Sequence, residues 1–453
     1  MQSPDASRYD DLADAAWRWV LDQVRWDDGP WVPVPGTTDP TLEPDPAPAD
    51  RDGSHSGIGG LAHTLAEIRL DRSWTDEEQR LADGIRQRLR RTAQTETDPS
   101  YFDGLSSHVG ALLALDDPGG ADLALARLAE LAGPDGWTAP TDESGSWVPG
   151  SPCNDVTTGN GSAVLAGVWA ARHGSRVGGE VGALAADLVR REGRETPGGL
   201  ELPYRSERFR VGGGADDAPA REMPNWSHGT AGMAAALAVA GSTLARPDLV
   251  DAARRAAEHV VSLADTSDGG FVVETTVPHD PTRDRSRYAY GWCHGPAGTS
   301  RLFTALAHAG VGEVAGAPPL HWHDAAMHSL LRSGLPDRLW PGFWDNDGRC
   351  CGSAGVGDVV LDGFQRTGRD DWLAFALRIA DAVVDRALVD GDRACWRFLE
   401  HRRDDPLLPA EAGWMQGAAG IATLLRRTAR VLRTGRGAPA LARMDTWWGL
   451  PGA

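Results

Sequence analysis

Seven runs of small and apolar residues with helical periodicity, such as Met233–Ala240, Ser300–Ala309 and Ile421–Val431, recur along this chain. Between them lie seven segments with charge on one face: Asp11–Val24, Glu77–Arg91, Ala121–Leu131, Val181–Glu192, Asp251–Ala264, Asp324–Ser333 and Trp372–Ala387. Each small-residue run opens on a Gly-x-x-Gly or Gly-x-x-Ser step. The pairs are Gly57/Gly60, Gly104/Ser107, Gly159/Ser162, Gly229/Gly232, Gly295/Gly298, Gly352/Gly355 and Gly417/Gly420. Their first glycines fall about 60 residues apart. One such step is a weak signal; seven at similar spacing define an internal repeat.

The economical arrangement is an all-α closed double ring, an α/α toroid of seven inner and seven outer helices, with residues 1–453 forming a single domain. Closure removes the exposed ends that an open solenoid must cap, and the paired glycines are expected to let inner helices start close together. The Pro/Asp-rich stretch Asp27–Asp52 reads as a surface loop. Short β-like runs at Phe271–Val277 and Cys395–Leu399 predict minor β decoration at one rim.

Composition narrows the function classes. The 453 residues contain no lysine, so Schiff-base chemistry and the lysine of a phosphate-binding loop are excluded. A net charge of -19 argues against nucleic acid and anionic membranes as partners. No signal-like segment and no apolar run of spanning length is evident, so a soluble cytoplasmic protein is expected. Five cysteines at uneven spacing do not form a disulfide framework and favour metal or catalytic use. Cys153 and Cys395 stand apart and read as buried thiols.

The repeat itself places the chemistry. The residue before each first glycine holds an equivalent position at one mouth of the ring: Ser56, Asp103, Thr158, His228, His294, Cys351 and Gln416. One step earlier come His55, Phe102, Thr157, Ser227, Cys293, Cys350 and Met415. Cys293, Cys350 and Cys351 therefore converge from neighbouring repeats, and His228 adjoins them. Three sulfur ligands suit zinc and leave a fourth position open; such an electron-rich site favours sulfur chemistry over hydrolysis. Helix-start N–H groups would help to hold the thiolates. The blander reading of Cys350-Cys351 is packing at a helix start. His228 suits proton transfer but could cap a helix, and Asp155 could orient it or act as a cap itself. His294 is a competing ligand; His321 and His323 are read as incidental.

The segments Gly291-Trp292-Cys293-His294-Gly295, Gly348-Arg349-Cys350-Cys351-Gly352 and Trp226-Ser227-His228-Gly229, with Asn154-Asp155-Val156, closely resemble the LanC-like family of lanthionine synthetase cyclases. The resemblance spans nearly the whole chain. It implies an α/α toroid with zinc at one mouth, and addition of a peptide cysteine thiol to dehydroalanine or dehydrobutyrine, forming lanthionine or methyllanthionine rings. It also implies that Cys293, Cys350 and Cys351 bind zinc, that His228 and Asp155 are catalytic, and that Trp292 matches the tryptophan before the first zinc cysteine. Many members carry an arginine where this chain has Ala289; Arg287 or Arg285 would have to reach that space. The implied partners are a dehydrated precursor peptide and a separate dehydratase of kinase or lyase type. Three other readings are an enzyme adding glutathione to dehydroamino acids, a peptide-binding scaffold, and a toroid glycosidase using Asp155 and Glu411.

Overall fold

The computed structural model describes residues 5–33, 51–139, 147–211, 221–279, 281, 286–337, 346–399 and 407–451. Its helices are α1 (Ala6–Gln23), α2 (Ile58–Arg69), α3 (Asp76–Thr92), α4 (Leu105–Ala114), α5 (Pro118–Leu131), α6 (Asn160–Arg172) and α7 (Arg176–Arg191). There follow α8 (Thr230–Thr243), α9 (Pro247–Ser262), α10 (Pro296–His308), α11 (Pro319–Arg332), α12 (Ser353–Thr367), α13 (Asp370–Asp385) and α14 (Ala418–Thr434). The even-numbered helices touch in order, and α14 returns to α2, closing an inner ring. The odd-numbered helices pack outside it, α1 on α14 and each of the others on the even-numbered helix beside it. This is the seven-plus-seven α/α toroid that the repeat predicts. Helix α8 is buried on all sides from Thr230 to Gly241, whereas α9 buries one stripe; ring position explains the two kinds of periodicity.

Every inner helix begins one residue after its predicted first glycine, and none of the seven glycine N-caps offers a side-chain hydrogen bond. The orphan N–H groups are satisfied by the chain's own preceding loop. The amide of Asn160 donates to the Cys153 carbonyl at 2.8 Å, Thr230 to Met223 at 3.1 Å and Ala418 to Glu411 at 2.8 Å, each seven residues back. That wrapping brings loop backbone directly over the helix start. A Cβ on Gly229, Gly298, Gly355 or Gly420 would overlap the carbonyl oxygen six residues earlier. Close backbone approach, with the glycines' own φ values ordinary and extended at most of these N-caps, is therefore what the motif serves. The same wrapping directs these first helical amides at loop carbonyls, where the sequence alone had them helping to hold thiolates.

The mouth turns are stitched to one another. The amide of His55 donates to the Phe102 carbonyl, Phe102 to Thr157, Ser227 to Cys293, Cys293 to Cys350, Cys350 to Met415, and Met415 back to His55, at 2.8–3.3 Å. Between Thr157 and Ser227 the link is a side chain: Thr157 Oγ1 reaches the Ser227 carbonyl at 3.3 Å. One residue from each repeat thus joins a circular belt.

The opposite end of the ring is filled by residues 438–451. Trp447 packs against Trp169, Arg172 and His308, near the C-terminal ends of α6 and α10. Trp448 donates to the Arg301 carbonyl and faces Trp226 at 6.2 Å. Deeper in the lumen, Asp358 on α12 accepts from Arg349, Arg427 and Arg443 at 2.6–2.7 Å. Burial alone would raise the Asp358 carboxyl; the three guanidinium groups hold it well below the carboxylate range.

The β decoration differs in detail from expectation. Among the described residues there are three two-stranded antiparallel hairpins: β1 (Arg194–Thr196) with β2 (Gly199–Glu201), β3 (Leu388–Asp390) with β4 (Arg393–Cys395), and β5 (Arg397–Leu399) with β6 (Leu407–Ala410). The run 395–399 is divided between two hairpins, and 271–277 forms only isolated bridges at Val272 and Val277. The latter run lacks a neighbour of matching length, so its β-branched residues pack without a ladder. His321 and His323 lie on α11, where His323 is buried beside Arg366. Most of the loop 27–52 falls outside the described residues, as does Arg285.

Candidate functional site

Cys293, Cys350 and Cys351 meet at the mouth because their turns are consecutive links of the belt. Cys293 Sγ lies 3.3 Å from Cys351 Sγ, and Cys351 Sγ lies 3.5 Å from Cys350 Sγ. The three sulfurs fall within 4.8 Å of one another, and among the described residues His294 is not part of that group. Tetrahedral coordination at about 2.3 Å from a zinc ion requires sulfurs roughly 3.8 Å apart, so the donor set fits with small adjustments and leaves a fourth position. Hydrogen bonds from Cys350 and Cys351 hold the Cys293 thiol well below its ordinary pKa. The contact with Cys293, with burial, pushes Cys350 and Cys351 up. Sulfurs this close titrate together rather than one by one.

The adjoining arc holds a histidine–carboxylate pair. His228 Nδ1 lies 2.7 Å from Asp155 Oδ2, which also accepts from Thr157 Oγ1 at 2.6 Å. The other oxygen accepts from the Thr158 amide at 3.2 Å, the Thr158 hydroxyl at 2.8 Å and the Cys153 thiol at 3.6 Å. Asp155 is 0 % exposed. Burial would raise its carboxyl, but His228 and the two threonines outweigh that and hold it low. The carboxylate fixes the proton on His228 Nδ1, which directs Nε2 elsewhere. The His228 ring faces His294, next to Cys293, at 5.5 Å and the edge of Tyr204 at 5.8 Å. Helix α8 is capped by Gly229, so His228 does not cap it, whereas Asp155 both ties its own turn and holds the histidine.

Trp292 is buried behind the cysteines between Trp226 and Phe102. Arg287 is not brought to this cluster: it is exposed and paired with Glu274, on a stretch that bonds to Thr275. Sequence reasoning missed Thr157, Thr158 and Tyr204, and treated Cys153 as incidental although it donates to Asp155. The belt register, which lists Thr157 and Thr158 beside Ser227 and His228, was the signal available for the two threonines. A second group of candidate ligands, Glu201, Glu222 and His259, is internally spent, with His259 between Glu222 and Thr196 and Glu201 on Arg194.

Residues 48–430 match the family model of lanthionine synthetase C-like proteins. The chain belongs to that family. No curated protein matches the LanC-like chain. Among solved structures it is similar to nisin cyclase, with a TM-score of 0.52 and 12% identity over 84% of this chain and 89% of that one. It also matches the unsaturated glucuronyl hydrolase of Bacillus sp. GL1 (TM-score 0.45, 14% identity, 98% and 100% covered) and cellobiose 2-epimerase of Spirochaeta thermophila (0.47, 15%, 94% and 96%). The nisin cyclase match shows a shared toroid. Among the described residues no helix is long and apolar enough to cross a membrane.

Proposed function

We propose that this LanC-like chain is a zinc-dependent cyclase that adds peptide cysteine thiols to dehydroalanine or dehydrobutyrine, forming (methyl)lanthionine thioether rings. The observation that carries the reading is the convergence of three sulfurs and the His228–Asp155 pair on one arc of one mouth. Cys293, Cys350 and Cys351 would hold the ion, which when bound supplies Lewis-acid character that favours a substrate thiolate near neutral pH.

The chain's own residues supply the rest. Thiolate attack on the β-carbon forms the C–S bond and breaks the C=C π bond, leaving an enolate. His228 Nε2 takes the thiol proton and returns it to the α-carbon, so the addition is balanced and mass-neutral. Asp155 stabilises the imidazolium at Nδ1 and keeps its orientation, with Thr157 and Thr158 holding Asp155. Trp292 backs the cysteine turn. Both reacting parts of one peptide, held at a single mouth, react as if unimolecular. A dehydrated precursor peptide is the partner this chemistry requires, and the reading pairs the chain with a separate dehydratase of kinase or lyase type.

The test is a dehydrated, cysteine-containing peptide incubated with and without glutathione, then alkylated and weighed. A mass-neutral loss of alkylatable thiol, dependent on Cys350 and zinc, supports cyclisation. A glutathione adduct with the peptide thiol still alkylatable would replace it with intermolecular addition.

A further inference from the structure

Resting on the peptide-cyclase reading, we infer that Arg205 is a receptor for a carboxylate of the substrate peptide, three to four residues from its reacting cysteine. Arg205 is 5 % exposed, yet among the described residues its Nε–H has no hydrogen-bond partner and no carboxylate pairs with it. Every other equally buried arginine among the described residues sits against an acid. Arg88 meets Asp52, Arg426 meets Asp14, Arg430 meets Glu67, Arg301 meets Asp445, and Arg349, Arg427 and Arg443 share Asp358. A guanidinium removed from water without a counter-ion is costly, and the cost is relieved when an anion arrives.

Its place in the fold points to the mouth. The strap after β2 lies across the starts of two inner helices: Leu202 exchanges hydrogen bonds with Thr230, the first residue of α8, and the Asn154 amide donates to the Tyr204 carbonyl at 2.7 Å. Asn154 precedes Asp155, so the strap that carries Arg205 is tied next to the histidine–carboxylate pair. The guanidinium carbon lies 5.6 Å from the Trp147 ring and 5.9 Å from the Tyr204 ring, two aromatic faces that orient it without neutralising it. Trp147 is held there by its bridge to Arg210. Asp155 cannot serve as the missing partner, because its two oxygens are already occupied by five donors. A planar guanidinium in such a setting matches a carboxylate by two parallel hydrogen bonds.

The spacing follows from steps already described. From His294, beside the sulfurs, the path runs 5.5 Å to His228, 5.8 Å to Tyr204 and 5.9 Å to Arg205. These steps bound the separation at about 17 Å; an extended peptide advances about 3.3–3.6 Å per residue and the Cys and Glu side chains add their own reach, so three to four residues bridge thiol and carboxylate. The carboxylates of glutathione lie nearer its thiol than a Glu side chain three residues along an extended peptide does.

Binding is read without turnover, so failure of the cyclase reading and failure of this inference remain distinct. The probes are Ac-Cys-Gly-Gly-Glu-NH2 and Ac-Glu-Gly-Gly-Cys-NH2 with their Gln counterparts, and glutathione, titrated into the zinc-loaded protein and followed by calorimetry or saturation-transfer NMR. Wild type should bind at least one Glu peptide about 10- to 100-fold more tightly than its Gln partner. Arg205→Met should abolish the preference, Arg205→Lys should keep part of it, and added salt should shrink it. Equal binding of acid and amide by wild type overturns the inference, whatever the variants do. So does a preference that survives in folded Arg205→Met, or tighter binding of glutathione than of either peptide.

Discussion

Asp155 stays charged at zero exposure because five donors converge on it, and that makes its partner's proton position definite. His228→Asn removes the proton carrier while leaving Asp155 a hydrogen-bond donor. It should retain fold and metal but slow thioether formation about 10²–10⁴-fold, measured by single-turnover kinetics on a dehydrated peptide. For the sulfurs, Cys350→Ala or Cys351→Ala should lose most of the zinc, whereas Cys395→Ala, on a separate hairpin, should not; metal analysis of the purified proteins decides. Glu411 offers a pH test. Burial pushes its carboxyl up to about 7, so the folded state holds a proton that the unfolded state releases near 4.5. Its contribution is fully present at low pH and lost as pH rises through about 7, a swing of up to about 3 kcal/mol. Glu411→Gln should flatten the stability profile between pH 5 and 8 in denaturant titrations. At this scale the cysteines and His228 were legible, because reactive residue types at equivalent repeat positions declare themselves, and Asp155 stood out as a carboxylate four residues ahead of Gly159. Thr157 and Arg205 were not: one looks like any turn threonine, and the absence of a counter-ion exists only in three dimensions.

Elements were more legible than residues. All seven first glycines mark helix starts, since a loop that caps a helix with its own carbonyls leaves no room for a side chain there. Outer helices begin up to five residues earlier than their charged faces indicate, as at Arg176 against Val181, because capping and Pro or Ser starts extend them beyond the amphipathic stripe. The hairpins were the least legible, being strands of three or four residues whose pairing depends on turns. Gly420→Ala tests the space argument away from the sulfurs: its Cβ would meet the Trp414 carbonyl and the Arg349 side chain. A loss above about 2 kcal/mol is expected, against about 0.5 kcal/mol or less for Gly437→Ala, which has open space. Chemical denaturation separates the two.

For the whole molecule, the C-terminal segment and the cysteine mouth share one carboxylate. Asp358 binds Arg443 of that segment and Arg349, the neighbour of Cys350. Trp448→Ala should cost about 3–5 kcal/mol of stability, as truncation of a buried tryptophan does, read from the denaturation midpoint. The belt has a further consequence, in time. Its last link joins Met415 to His55, and α14 must dock on both α1 and α2. Loops are usually closed locally and early, but here the seam unites stretches that leave the ribosome far apart. Six repeats must wait, with one flank of the first still bare, until the seventh is made. Chain-length separation of that order slows the final step and lengthens exposure of apolar surface. The turn carrying Cys350 leans on Met415, so the sulfur cluster gains its full support only when that seam shuts: the centre is among the last parts of the molecule to mature.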